Sequence, residues 1–65
     1  MVERIELENL IILYKNDDEE LHREDGPAVI WPDGRKEWWI NGIPYIYSEW
    51  KKEILKRKLK NFQKS

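Results

Sequence analysis

The chain has no cysteine and no threonine, one histidine, two serines and three glycines. Without cysteine there is no disulfide and no thiolate zinc site, and a single histidine cannot build a histidine metal cluster. A nucleophile set is equally short of members, because Ser48 and Ser65 are the only hydroxyl candidates apart from tyrosine. No apolar run approaches the roughly 18 residues of a membrane span. The opening "MVERIELE" places acids where a secretory signal needs a basic start and an apolar stretch. These absences predict a soluble, intracellular protein without metal, cofactor or membrane partner. At 65 residues it is expected to be one domain, residues 1–65. A chain this short hides only about 60% of its unfolded surface, so a small scaffold often needs a staple or a second copy.

What is present is charge, tryptophan and turn chemistry. The net charge of −1 hides a polarity. Residues 1–26 carry nine acids against three bases, residues 27–48 balance, and residues 49–65 carry seven bases against two acids. An acidic edge and a basic helix are expected, which would favour an oppositely charged partner or a second copy. The overall pI near 5.8 argues against a dedicated nucleic-acid binder, although Lys52, Lys56, Lys60 and Lys64 share one side of the helix.

"RIELENLIILYK" alternates and then becomes continuously apolar from Leu10 to Tyr14. The pattern predicts one strand with a bulge near Asn9; a helix over 2–13 is the competing reading. "NDDEE" reads as an acidic turn. Asp33-Gly34 and Asn41-Gly42 are the dipeptides favoured in two-residue hairpin loops. Taken so, the first loop pairs Val29 with Trp38 and Trp31 with Lys36. The second pairs Ile40 with Ile43, Trp39 with Pro44 and Trp38 with Tyr45. One face would then carry Val29, Trp31, Trp38, Ile40, Ile43, Tyr45 and Tyr47, and the other Ala28, Ile30, Trp39, Pro44 and Ile46. Both are apolar, whereas an antiparallel sheet of a lone small domain usually leaves one face polar.

"SEWKKEILKRKLKNFQKS" predicts a helix over 48–63, with Ser48 as N-cap, Glu49 in the first turn and bases toward the C-terminus. Trp50 and Ile54 form one apolar stripe, expected to pack on the sheet. Leu55, Leu59 and Phe62 form another, expected to meet a second surface. The fold class is therefore α+β: a small antiparallel meander of about four strands in residues 1–47, then one C-terminal helix. "YKNDDEELHR" and "WINGIPYIY" also echo each other as strand, turn, strand, aligning Asn16 with Asn41.

"HRED" has two readings. As chemistry, His22 would be a general base oriented by Asp25, with Arg23 holding an anion. As architecture, Asp25-Gly26-Pro27 turns the chain, with Gly26 at an unusual φ, Arg23 on a neighbouring carboxylate and His22 stacked on an aromatic. The lack of a nucleophile or metal favours architecture, and no enzyme is expected. The tryptophans divide between core and binding surface, since Trp and Tyr dominate binding hot spots and also stack on bases. Candidate surface residues are Trp31, Trp38, Trp39, Tyr45, Tyr47, Leu55, Leu59 and Phe62. The turn residues are Asp25, Gly26, Pro27, Asp33, Gly34, Asn41 and Gly42.

"LHREDGPAVIWPDGRKEWWINGIPY" resembles a short tryptophan-rich repeat, H-R-x-D-G-P-A, D-G, W, N-G, found in phage and large-virus proteins. There it is often followed by a Ser-Glu start to a closing helix, as in "YSEWKKEI". The resemblance spans residues 21–54 and implies a β-hairpin repeat, loosely similar to MORN-type repeats, and a viral or mobile-element source. It transfers no catalytic residues. Longer members hold several copies; this chain holds one full motif. The implied function is a non-enzymatic viral accessory protein that docks in the host cytoplasm on a host protein of antiviral defence and inhibits it. The alternatives are a homo-oligomer that sequesters a nucleotide-like signal molecule, and a virion structural or assembly protein.

Overall fold

The computed structural model describes residues 2–62, and side chains as far as Leu59. Five antiparallel strands lie in chain order: β1 (Glu3–Glu6), β2 (Ile12–Lys15), β3 (Val29–Ile30), β4 (Lys36–Ile40) and β5 (Ile43–Tyr45). One helix, α1 (Tyr47–Phe62), follows. The α+β meander is the one expected, with an extra strand. "RIELENLIILYK" is not one bulged strand but a hairpin, with Glu3 opposite Lys15 and Glu6 opposite Ile12. It turns through Leu10 at φ 69°, closed by bonds from Leu10 N to Leu7 O and from Leu7 N to Ile11 O, each 2.9 Å. No glycine or proline marks this turn. Its one local signal is Asn9, whose Oδ1 accepts from Ile11 N at 3.4 Å.

The Asn41-Gly42 hairpin forms as the dipeptide predicts. Both residues have positive φ, 48° and 79°, and the expected pairs are present. The Asp33-Gly34 hairpin does not. Its register is one residue away, with Val29 opposite Glu37 and Ile30 opposite Lys36. The reason is Pro32. In a two-residue loop Pro32 would close the hairpin, and it has no N–H to give. The closing bond moves back to Trp31 N, which donates to Arg35 O at 2.8 Å, and Gly34 takes the left-handed position of a three-residue loop at φ 94°.

A one-residue slip exchanges faces. Val29 and Trp31 therefore share a face with Glu37 and Trp39, not with Trp38. The helix covers the other face. There Ile40, Trp50 and Ile54 form the buried cluster, with Trp38 and Tyr45 packed against it. The Trp38 ring lies 4.6 Å from that of Trp50 and 4.7 Å from that of Tyr47. The contact with Trp38 draws Tyr47 into the first turn of α1. Trp50 N then donates to Ile46 O at 2.9 Å, so Ile46 holds the N-cap position and Ser48 does not.

Candidate binding surface

The "HRED" segment interrupts the middle strand of the sheet. Leu21 bridges Lys15, His22 N donates to Tyr14 O, and Arg23 N donates to Trp39 O, so residues 21–23 lie between β2 and β4. The chain leaves the sheet over residues 24–27 and re-enters the same slot at the fully buried Ala28, whose N–H donates to Glu37 O. Arg23 fastens this excursion. Its Nε donates to Asp25 Oδ1 at 2.9 Å, its Nη1 to Pro27 O at 3.1 Å, and its guanidinium lies 4.0 Å over the Tyr14 ring. The hydrogen bond from Arg23, helped by its charge, holds the Asp25 carboxyl below its ordinary value.

Two expectations for this segment need correction. Gly26 has no positive φ; it is buried under the Arg23 guanidinium, where a Cβ would come within 2.8 Å of Cζ. His22 is fixed by a hydrogen bond rather than by ring stacking: its Nδ1 accepts from Asn41 N at 2.9 Å, and its Nε2 lies 3.4 Å from Glu24 Oε2. The helix ties into the same segment. Trp50 Nε1 donates to Arg23 O at 3.1 Å, and Arg57 lies 3.7 Å from Glu24 and 3.8 Å from Glu53. Arg23 and His22 thus hold the excursion and the Asn41-Gly42 turn, and the Trp50 indole ties the helix to them.

Four of the predicted surface residues meet at one end of the sheet. β5 ends at Tyr45 and the chain turns into α1. This leaves an open groove of about 450 Å³ lined by Lys36, Glu37, Trp38, Trp39, Pro44, Tyr45, Ile46 and Tyr47. Trp38, Trp39, Tyr45 and Tyr47 were expected at a surface, but Trp38 and Tyr45 also support the core. In and after β5 the chain exposes Ile43 at 55% and Ile46 at 69%, and Ile46 lines the groove. Sequence reasoning put these two in sheet faces; their exposure follows from β5 being an edge strand cut short by the helix.

Trp31 does not line this groove. It meets Trp39 through a residue that the sequence did not single out. Glu37 Oε2 accepts from Trp31 Nε1 at 2.7 Å, and Glu37 Oε1 from Trp39 Nε1 at 3.0 Å. The signal was Glu37 next to the Trp38-Trp39 pair, on the face that the register gives to both Trp31 and Trp39. On the helix, Leu55 and Leu59 are exposed at 58% and 55%, away from the buried Trp50 and Ile54. The side chain of Phe62 lies outside the described residues.

The Asp33 carboxyl is also lowered, first by the backbone N–H of Arg35 and then by that residue's charge. Its bonds to Arg35 close the hairpin loop. Among the described residues no group of three or more His, Asp or Glu side chains could hold a metal ion, and no helix is long and apolar enough to cross a membrane. Comparison with family models, curated proteins and solved structures returns no match.

Proposed function

We propose that this chain is a non-catalytic binding protein that docks on another protein through the groove between β4, β5 and α1 and the apolar rim beside it. The observation that carries the reading is the exposure of Ile46 and Tyr47 in the lining of an aromatic groove at one sheet edge. Contiguous exposed apolar surface rimmed by polar residues marks interaction sites, and Trp and Tyr are the usual anchors. The likeness of "HREDGPA" to viral repeats suggests the setting: an accessory protein acting in the host cytoplasm that occupies the working surface of a host defence protein.

Immobilised wild-type protein and an Ile46→Glu variant of unchanged circular dichroism should be compared on host lysate, with bound proteins identified by mass spectrometry. A protein retained by the wild type and lost by the variant is the expected result. Equal retention on both columns, or none on either, overturns the reading.

A further inference from the structure

Two charged residues line the groove, Lys36 and Glu37; as neighbours on a strand they point to opposite faces, and Glu37 stands with Trp31 and Trp39 on the face away from α1. Among the described residues, Glu37 is in no ion pair, whereas Arg4 pairs with Glu6, His22 and Arg57 with Glu24, Arg23 with Asp25, Arg35 with Asp33 and Arg57 with Glu53. Its carboxylate is half-buried, and its two oxygens are held by one indole N–H each, at 2.7 and 3.0 Å. Two neutral donors orient a carboxylate without cancelling its charge. Each oxygen keeps a lone pair, and the position is fixed before any ligand arrives, which lowers the cost of binding. Trp31 and Trp39 flank the carboxylate on that face, and Trp39 also lines the groove. A cation entering here would meet a held carboxylate and aromatic rings, and both attract positive charge.

We propose that Glu37 anchors a recognition site for an arginine side chain presented by a partner protein. This rests on the protein-binding reading above and names the chemistry of the partner. Arginine fits better than lysine because a planar guanidinium can fork onto both carboxylate oxygens and stack on an indole at once, whereas an ammonium is a strongly hydrated point charge. The chain's own Arg35 is engaged by Asp33 Oδ2 at 2.8 Å and lies over Trp31 at 5.2 Å, so it does not fill the site.

The test uses three short blocked peptides that differ only in a central arginine, lysine or citrulline. Each is titrated into the ¹⁵N-labelled protein while the indole N–H resonances of Trp31 and Trp39 are followed. The arginine peptide should move both resonances, with affinity falling as salt rises. Citrulline, the same shape without the charge, should leave them in place, lysine should bind more weakly, and Glu37→Gln should weaken the arginine response about tenfold or more. No shift with arginine, equal shifts with citrulline or with lysine, or an undiminished response in Glu37→Gln each overturns the proposal. If the Ile46→Glu comparison still separates a partner when this titration fails, only the arginine assignment falls. If that comparison fails, the wider reading falls with it.

Discussion

The imidazole Nδ1 of His22 accepts a hydrogen bond from the backbone N–H of Asn41, 2.9 Å away and 19 residues on in the chain. The same two turns meet again where Asn16 Nδ2 donates to Asn41 Oδ1 at 3.2 Å and Gly42 N donates to Leu21 O at 2.9 Å. The acidic loop and the Asn41-Gly42 turn therefore lie side by side. His22, only 8% exposed, is the acceptor that completes the second turn. His22→Phe keeps the ring and removes the acceptor. It should lower stability by about 1–3 kcal/mol, the cost of leaving a buried donor unpaired. Urea unfolding measures this; a variant as stable as wild type would mean that water replaces the imidazole.

Three hairpin loops share one geometry, with a left-handed residue before the closing pair: Leu10 at φ 69°, Glu19 at φ 62° and Gly34 at φ 94°. Only the last is glycine. A non-glycine residue in this region costs about 1–2 kcal/mol, while glycine's greater freedom in the unfolded chain takes back about 0.4–1 kcal/mol. Leu10→Gly and Glu19→Gly should each stabilise the protein by roughly 0.5–1 kcal/mol. Gly34→Ala should destabilise it, although no atom lies within 4 Å of the added Cβ. Thermal melts of the three variants decide the sign.

Gly26 and Arg23 are coupled through space. A Cβ on Gly26 would push the guanidinium off Asp25, Pro27 O and the Tyr14 ring. Gly26→Ala should cost about 1–3 kcal/mol in the native background, and much less when Arg23 is already alanine. A double-mutant cycle in urea reads the difference. An equal penalty in both backgrounds would place the cause in the backbone instead.

Acid should act on the same excursion. The Asp25 carboxyl titrates below its ordinary value of 3.8, chiefly through the Arg23 hydrogen bond. A lowered folded-state value means that the contribution is fully present above 3.8 and is lost as pH falls through the folded value. Asp33, lowered first by the Arg35 N–H, acts in the same sense. Stability should therefore fall below about pH 4. Asp25→Asn should make that fall shallower, and an unchanged acid limb in melts from pH 5 to pH 2 would remove Asp25 from the account. Both carboxylates are largely exposed, so the effect is small.

The two stripes of α1 should separate cleanly. Trp50 and Ile54 are buried against Ile40, and Trp50→Ala should cost about 3–5 kcal/mol, much of the stability available to so small a domain. Leu55→Ser with Leu59→Ser, at exposed positions, should leave the circular dichroism and melting temperature of the protein close to wild type. Unfolding by the leucine pair, with tolerance of Trp50→Ala, would reverse the assignment.

Much of this fold is local chemistry and was readable residue by residue. Asn41-Gly42 is sufficient for its turn because both residues tolerate positive φ. The 3.6-residue spacing of Trp50 and Ile54 placed that stripe on the sheet, where the structure has it. The Asp33-Gly34 register was legible too, had the missing N–H of Pro32 been weighed above the dipeptide preference. The Leu7–Ile11 turn was not, because Leu10 adopts a left-handed conformation against its own preference and only strand pairing on both sides holds it there. The sequence by itself determined a meander closed by a basic helix, since turn residues and apolar periodicity act over a few positions. Tertiary structure alone decided that His22 completes a turn 19 residues away, that Gly26 is small for the sake of Arg23, and that Glu37 stands between two indoles. Each of these depends on which strands are neighbours and in which register, and a one-residue shift moves every side chain to the other face.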